Sequence, residues 1–334
     1  MTKSTIAVIG AGSWGTALSV SLANLGHRIQ LWAYEREVVE DIRTHRENRS
    51  FLPGFRLPKT VSPTTDLSAA LNGVQYVLTV MPSHVCRSLY QQMLAYLHPE
   101  MILVSATKGL EEGRLMRMSE VIQSVTVGRF NPRLTVISGP SFAQEVARGD
   151  PTAVVAASQD PDTARSVQKD FSSTALRLYT SNDVVGVELG GALKNVIAIA
   201  AGVIEGLGLG HNPMAALVTR GLSEITRLAC SCGARSETLA GLAGMGDLVL
   251  TCTGNLSRNR SVGVQLGKGK KLTEILESVH TVAEGIKTTS ATVALAEHHK
   301  VEMPITQQVH RLLQNQITPR DAIRELMDRA LKDE

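Results

Sequence analysis

Two lysines and one aspartate stand where their charges call for a reason. Lys194 lies in Gly190-Gly191-Ala192-Leu193-Lys194-Asn195, inside the most apolar helical stretch of the chain. A lysine is seldom fully buried without a partner or a task. Either its stem carries the ammonium out to water, or the charge works where it sits. Lys108 lies in Ala106-Thr107-Lys108-Gly109, just past the apolar run Met101–Ser105. Asp247 follows Gly244-Met245-Gly246 and precedes Leu248-Val249-Leu250. An aspartate there either caps a helix or orients a cation. A lysine tuned by burial or by a neighbouring charge can exchange a proton with a hydroxyl, which is what an alcohol needs when hydride moves on its carbon. Ser257-Arg258-Asn259-Arg260 offers hydroxyl, guanidinium and amide donors suited to phosphate oxygens; it reads equally as a polar loop.

A second constellation handles phosphates by backbone. Gly10-Ala11-Gly12-Ser13-Trp14-Gly15 is a G-x-G-x-x-G that follows a strand-like run and opens a helical one. In that context Gly10 serves a tight turn, Gly12 lets a pyrophosphate approach, and Gly15 allows close helix–strand packing. The helix end supplies N–H groups and positive potential. Tyr34-Glu35-Arg36 ends the second strand, where an acidic residue favours NAD and an arginine accommodates the 2′-phosphate of NADP. Glu35 and Arg36 point opposite ways, with a slight lean to NADP through Arg36, unless both are solvated helix-start residues. Ser141 and Gln144 in Ser138-Gly139-Pro140-Ser141-Phe142-Ala143-Gln144 match a capping box, which predicts a further helix start after a strand.

The elements that must position these groups change character along the chain. Strand-like runs at Thr5–Ile9, Arg28–Ala33, Gln75–Val80, Met101–Ser105, Leu134–Ser138, Thr152–Ala156 and Ala175–Tyr179 alternate with helical segments such as Trp14–Leu25, capped by Gly26, and Glu37–Thr44. That predicts a doubly wound parallel sheet. From Asp183 onward helical patterns dominate: Val184–Ile204, Pro213–Cys232, Ser236–Cys252 with a break, Leu272–Val279, Ser290–His298, Thr306–Gln314 and Pro319–Lys332. The expected fold class is α/β, an N-terminal Rossmann-like domain over residues 1–182 followed by an all-α substrate domain over residues 183–334.

Composition narrows the function. Thirty-four basic against 31 acidic side chains leave +3, too little for a nucleic-acid binder. The longest apolar run, Val196–Ile204, is half of what a membrane span needs. Cys86, Cys230, Cys232 and Cys252 follow no zinc spacing, so no metal is expected. Free thiols and the lack of a secretory-signal pattern suit a cytoplasmic protein. The apolar helical half suits a homodimer.

The blocks G-A-G-S-W-G-T-A at Gly10, A-T-K-G at Ala106, S-G-P-S-F-A at Ser138, E-L-G-G-A-L-K-N-V at Glu188, L-A-G-M-G-D-L at Leu239, S-R-N-R at Ser257 and V-A-E-G at Val282 occur in one order over nearly the whole chain. Together they resemble the NAD(P)-dependent glycerol-3-phosphate dehydrogenases of bacterial type. The resemblance implies interconversion of dihydroxyacetone phosphate and sn-glycerol 3-phosphate with NADPH or NADH, supplying glycerol 3-phosphate for phospholipid biosynthesis. It implies Lys194 as proton acceptor, Lys108 beside substrate and nicotinamide, and Asp247 in the active site, with Thr251 a weaker candidate. Gly139, Ser141, Ser257, Arg258 and Asn259 match substrate positions. Ser13, Trp14, Lys108, Ala143, Arg258, Val282 and Glu284 match cofactor contacts, while Tyr34 falls at a variable position. Two rival readings are a 3-hydroxyacid or 6-phosphogluconate type of dehydrogenase, and a dinucleotide sensor without catalysis. The Ser-Arg-Asn segment speaks against the first and the pairing of Lys194 with Asp247 against the second.

Overall fold

The computed structural model describes residues 3–278 and 283–331. The chain divides into two compact units: the residues up to Glu111 with Met116–Glu188, and Glu112–Leu115 with the residues from Leu189 on.

In chain order the first unit carries β1 (Thr5–Ile9), α1 (Ser13–Asn24), β2 (Arg28–Trp32), α2 (Arg36–His45), β3 (Glu47–Asn48), β4 (Leu52–Arg56), β5 (Val61–Thr64), α3 (Leu67–Leu71), β6 (Tyr76–Thr79), α4 (Cys86–Met93), β7 (Ile102–Ser105), α5 (Met118–Thr126), β8 (Arg133–Ser138), α6 (Ala143–Arg148), β9 (Thr152–Ala157), α7 (Pro161–Phe171) and β10 (Leu176–Ser181). Eight strands form one sheet in the order β10-β9-β8-β7-β6-β1-β2-β5. Successive side chains of β1 go to opposite faces. Ile6 and Val8 join a core with α1, α2 and α7, whereas Ala7 and Ile9 join one with α3, α4 and α5. A sheet buried on both faces reads as continuous apolar runs, which is why these strands stand out in the sequence.

Two features depart from the expected parallel sheet. β9 runs antiparallel to β8, with Val136 opposite Ala157. The connecting helix α6 has six residues and reaches about 9 Å, too short to recross a six-residue strand of about 20 Å. The chain therefore re-enters at the edge it left. The strand β5 and the hairpin of β3 and β4 were not foreseen, because Pro53, Gly54 and Pro63 interrupt the pattern. β5 tolerates Pro63 because it lies at the sheet edge.

The order reverses between β1 and β6, which are parallel neighbours. At such a switch point the carboxyl ends of the strands leave a crevice. Gly10 follows β1 there with φ +119°, and a Cβ on it would lie 2.6 Å from the Val80 carbonyl oxygen that follows β6.

After α8 (Val184–Gly206) come α9 (His211–Ser231), α10 (Ser236–Ala240), a π-helical turn (Leu242–Gly246), α11 (Asp247–Thr253), α12 (Arg258–Gly267), α13 (Leu272–Ser278), α14 (Glu284–His299), α15 (Pro304–Leu313) and α16 (Pro319–Met327). α8 is the one described helix long and apolar enough to cross a membrane, and 94% of an apolar 18-residue stretch within it is buried inside the protein. Its packing is unusually close. Added Cβ atoms on Gly202 and Gly206 would overlap backbone of α12, and Gly263 and Gly267 would overlap backbone of α8 in return. Glu224 of α9 is buried and accepts N–H bonds from Ile305 (2.7 Å) and Thr306 (3.2 Å), so a distant carboxylate caps α15.

Candidate active site

In the sheet unit, β1 leads directly into the glycine loop. A Cβ on Gly15 would overlap the Gly10 carbonyl oxygen, so the first turn of α1 folds tightly over the loop. Around Gly12 nothing lies within 4 Å of the Cβ position. The first N–H groups of α1 precede its first intrahelical bond, from Thr16 N–H to the Gly12 carbonyl (2.9 Å), and face outward by helix geometry. Open space above amides at a helix start is what a pyrophosphate requires. The loop is also braced from outside. Asn48 Nδ2 donates to the Ala11 carbonyl and to Thr16 Oγ1, both at 2.8 Å, and Ser13 Oγ donates to the Phe51 carbonyl at 2.5 Å. Trp14 and Ala143 pack on one small apolar cluster with Ala17, Leu52 and Val146.

Tyr34 is 82% exposed, and Glu35 and Arg36 are exposed at the start of α2. Glu35 occupies the N-cap position, yet its side chain makes no capping bond. Both charges thus remain available at the end of β2.

At the carboxyl ends of β7 and β8, Lys108 Nζ donates to the Gly139 carbonyl at 3.3 Å. Ser141 Oγ donates to the same carbonyl at 3.0 Å. Parallel pairing sets these residues on the sheet edge that carries Gly10. The expected capping box is not formed. α6 begins at Ala143, so Phe142, which has no side-chain acceptor, holds the N-cap position and Ser141 lies one residue too early; its hydroxyl donates to Gly139 instead. The signal misled because it lies in a turn governed by Gly139, whose φ is +144°.

In the helical unit, Lys194 keeps its ammonium inside. The residue is 7% exposed, and Nζ donates to Asp247 Oδ1 at 2.5 Å and to Thr251 Oγ1 at 2.7 Å. The Thr251 hydroxyl donates a hydrogen bond to the Asp247 backbone carbonyl at 2.6 Å, which turns its oxygen lone pairs toward the lysine. Asp247, 1% exposed, is the first residue of α11 rather than its cap, where a carboxylate suits the helix dipole. α8 meets the π-helical turn before α11 at Gly190, where a Cβ would lie 2.5 Å from the Ala243 carbonyl oxygen. That closeness brings the two charges together. Cys252 is also buried here, and burial pushes its thiol up to about 12, so it is no nucleophile at neutral pH.

Ser257-Arg258-Asn259-Arg260 is not a loop. It opens α12, with Ser257 as N-cap accepting the Arg260 N–H at 3.2 Å. Arg258 is exposed on that first turn and Asn259 is buried. Two guanidiniums at a helix N-terminus oppose its dipole. Arg260 is matched by an ion pair with Glu205, while Arg258 faces solvent. Asn259 Oδ1 accepts the Gly285 N–H at 2.9 Å, next to half-buried Glu284 at the start of α14. Val282 lies outside the described residues. Asn48 was not singled out in the sequence, and Gly285 entered only as the last residue of the V-A-E-G block, because a lone asparagine or glycine carries no periodic signal.

The models of two families match the chain. The one described as NAD-dependent glycerol-3-phosphate dehydrogenase N-terminus covers residues 5–164, and the one described as its C-terminus covers residues 183–324. A relative from Koribacter versatilis, "Glycerol-3-phosphate dehydrogenase [NAD(P)+]", is 61% identical over 98% of this chain and 97% of its own. One of the same description from Acidobacterium capsulatum is 55% identical over 99% and 100%. The crystal structure of glycerol-3-phosphate dehydrogenase (gpsA) from Coxiella burnetii superposes with a TM-score of 0.93 at 42% identity, covering 98% of this chain and 99% of that one.

Proposed function

The chain belongs to the NAD-dependent glycerol-3-phosphate dehydrogenase family, and from that premise we propose that Lys194 exchanges the proton and the start of α12 holds the phosphate. The protein is an oxidoreductase that interconverts dihydroxyacetone phosphate and sn-glycerol 3-phosphate with NAD or NADP. Its product suits the supply of glycerol 3-phosphate to phospholipid synthesis. In this reading residues 1–182 bind the dinucleotide and residues 183–334 bind substrate and carry the proton transfer.

The glycine loop fits the dinucleotide. Gly12 leaves room for a pyrophosphate, α1 offers its N–H groups, and Ser13, Trp14, Gly10, Gly15 and Ala143 shape the surroundings. When bound, the nicotinamide supplies or takes up the hydride. Arg36 and Tyr34 flank the adenosine end, and exposed Arg36 favours NADP over NAD. Lys108, Val282 and Glu284 complete the proposed cofactor contacts.

The residues of the chain then have distinct tasks. As a ketone gains hydride, its oxygen becomes an alkoxide. Lys194 gives that oxygen a proton, and in the oxidising direction it takes the proton back. Asp247 and Thr251 hold Nζ in a fixed direction, so the ammonium is preorganised rather than mobile. The Lys108 charge, steadied by the Gly139 carbonyl, stabilises the developing anion, and Ser141, bonded to the same carbonyl, shapes the substrate side of that turn. Arg258, Asn259 and the Ser257 turn take the phosphate oxygens by charge-assisted bonds. The observation that carries this reading is the buried Lys194–Asp247–Thr251 cluster in the same unit as an exposed guanidinium on a helix start.

A substrate panel tests it. Dihydroxyacetone phosphate should oxidise the reduced cofactor rapidly and 3-hydroxy acids should not turn over. Arg258→Ala should raise KM for the phosphorylated substrate by at least about tenfold. Turnover of 3-hydroxy acids alone, or an unchanged KM, would reassign the site. We also read the protein as a cytoplasmic homodimer. Exposed Leu209, Met245, Val249 and Leu256, all in the helical unit, favour a covered surface; a monomer mass in sedimentation equilibrium would refute that part.

A further inference from the structure

We propose that Gly285 is a positioning residue for the substrate phosphate, because its N–H sets which way the Asn259 amide points. This inference rests on the reading of Asn259 as a phosphate contact. An amide has two chemically opposite ends, and only its partners decide which faces where. Here Oδ1 accepts the Gly285 N–H at 2.9 Å in a buried setting. Nδ2, a double donor, is therefore turned away from α14, and among the described residues no protein acceptor takes it. A donor so aimed suits a phosphate oxygen, and Arg258 is its neighbour on the same helical turn.

Only glycine permits this arrangement. A Cβ at residue 285 would lie 2.7 Å from Asn259 Oδ1, 3.1 Å from its Cγ and 2.9 Å from the Asn195 carbonyl oxygen. The Asn195 carbonyl belongs to the backbone of α8, one residue after Lys194, and has little freedom to yield. An added methyl must therefore push α14 back or swing the Asn259 amide aside. Either change breaks the bond that orients Nδ2. The backbone of Gly285 is helical, so alanine brings no strain of its own and acts by contact alone.

Gly285→Ala, Asn259→Asp and Asn259→Ala would be assayed with dihydroxyacetone phosphate and with unphosphorylated dihydroxyacetone. Gly285→Ala should raise KM for dihydroxyacetone phosphate by at least about tenfold, the loss expected of one hydrogen bond to a charged group. Its kcat and its kcat/KM with dihydroxyacetone should stay near wild type. A merely structural defect would lower both substrates alike, and that result, or an unchanged KM, would overturn the proposal. Asn259→Asp keeps the acceptor for Gly285 but sets an oxygen where Nδ2 was. It should raise the same KM at least as far, and if Gly285→Ala fails to fold, an unchanged KM in Asn259→Asp overturns the proposal by itself. Asn259→Ala separates the two levels. An unchanged KM there removes the phosphate contact altogether, whereas a raised KM there with a normal one in Gly285→Ala rejects only the role of Gly285.

Discussion

Replacing Lys194 by Met keeps an unbranched side chain one atom shorter and removes its charge. At 2.5 Å from Asp247 Oδ1, the gross attraction is about 7 kcal/mol at an effective dielectric of 20. Much of this offsets the desolvation of two groups whose side chains are 9% and 1% exposed. Removing one partner of a buried ion pair costs about 3–5 kcal/mol of stability. Turnover should fall separately, by about 10²–10⁴-fold, the usual worth of a positioned acid–base group. Urea unfolding and the absorbance of reduced nicotinamide measure the two effects independently. The double variant Lys194→Met with Asp247→Asn tells them apart. It removes both charges, so stability should recover by at least about 2 kcal/mol over the single variant, while turnover stays low and dinucleotide affinity stays normal. Full kcat in Lys194→Met would refute the proton-transfer role. A double variant no more stable than the single one would refute the pairing energetics.

Three further outcomes are expected. Gly10→Ala should destabilise the protein by at least about 1–3 kcal/mol, since its φ is +119° and the Val80 carbonyl oxygen lies 2.6 Å from the new methyl; Gly12→Ala should leave stability nearly unchanged yet weaken dinucleotide binding, and equal stability losses would contradict the assignment of the open space. Arg36→Ala should lower kcat/KM with NADPH while sparing NADH, and an unaltered ratio of the two would detach Arg36 from cofactor choice. Burial pushes the Glu224 carboxyl above its ordinary value, against the N–H bonds from Ile305 and Thr306 that pull it down. A group raised in the folded state adds stability at low pH that is lost as pH rises through its folded value. The deficit of Glu224→Gln in urea should thus be largest near about pH 4 and shrink toward neutrality, and a deficit that grows with pH would show the sign to be wrong.

Much of the fold was legible because it depends on local patterns. Thr5–Ile9 is a strand at the residues expected, and the expected helices Trp14–Leu25 and Glu37–Thr44 differ by a residue at either end from those found. Gly26 follows the end of α1 with φ +92°, as a helix terminator should. Illegibility began where local signals competed with distant partners. Ser141 and Gln144 match a capping box on paper, but α6 starts one residue later, with Phe142 at its N-cap position. Ser257-Arg258-Asn259-Arg260 looks like a polar loop until the close glycine contacts between α8 and α12 make it a helix start. The reversed direction of β9 follows from the length of α6, whose ends no periodicity marked.

For the chemistry the division is sharper. The sequence by itself determined that a glycine turn lies between a buried strand and a helix, and that a lysine interrupts the most apolar helix, because both are properties of neighbours along the chain. Whether that lysine would reach solvent or stay inside, and whether Asp247 would cap a helix or hold a charge, only the tertiary structure decided. The two residues are 53 positions apart, and the free energy of a buried ammonium depends on what another helix places against it.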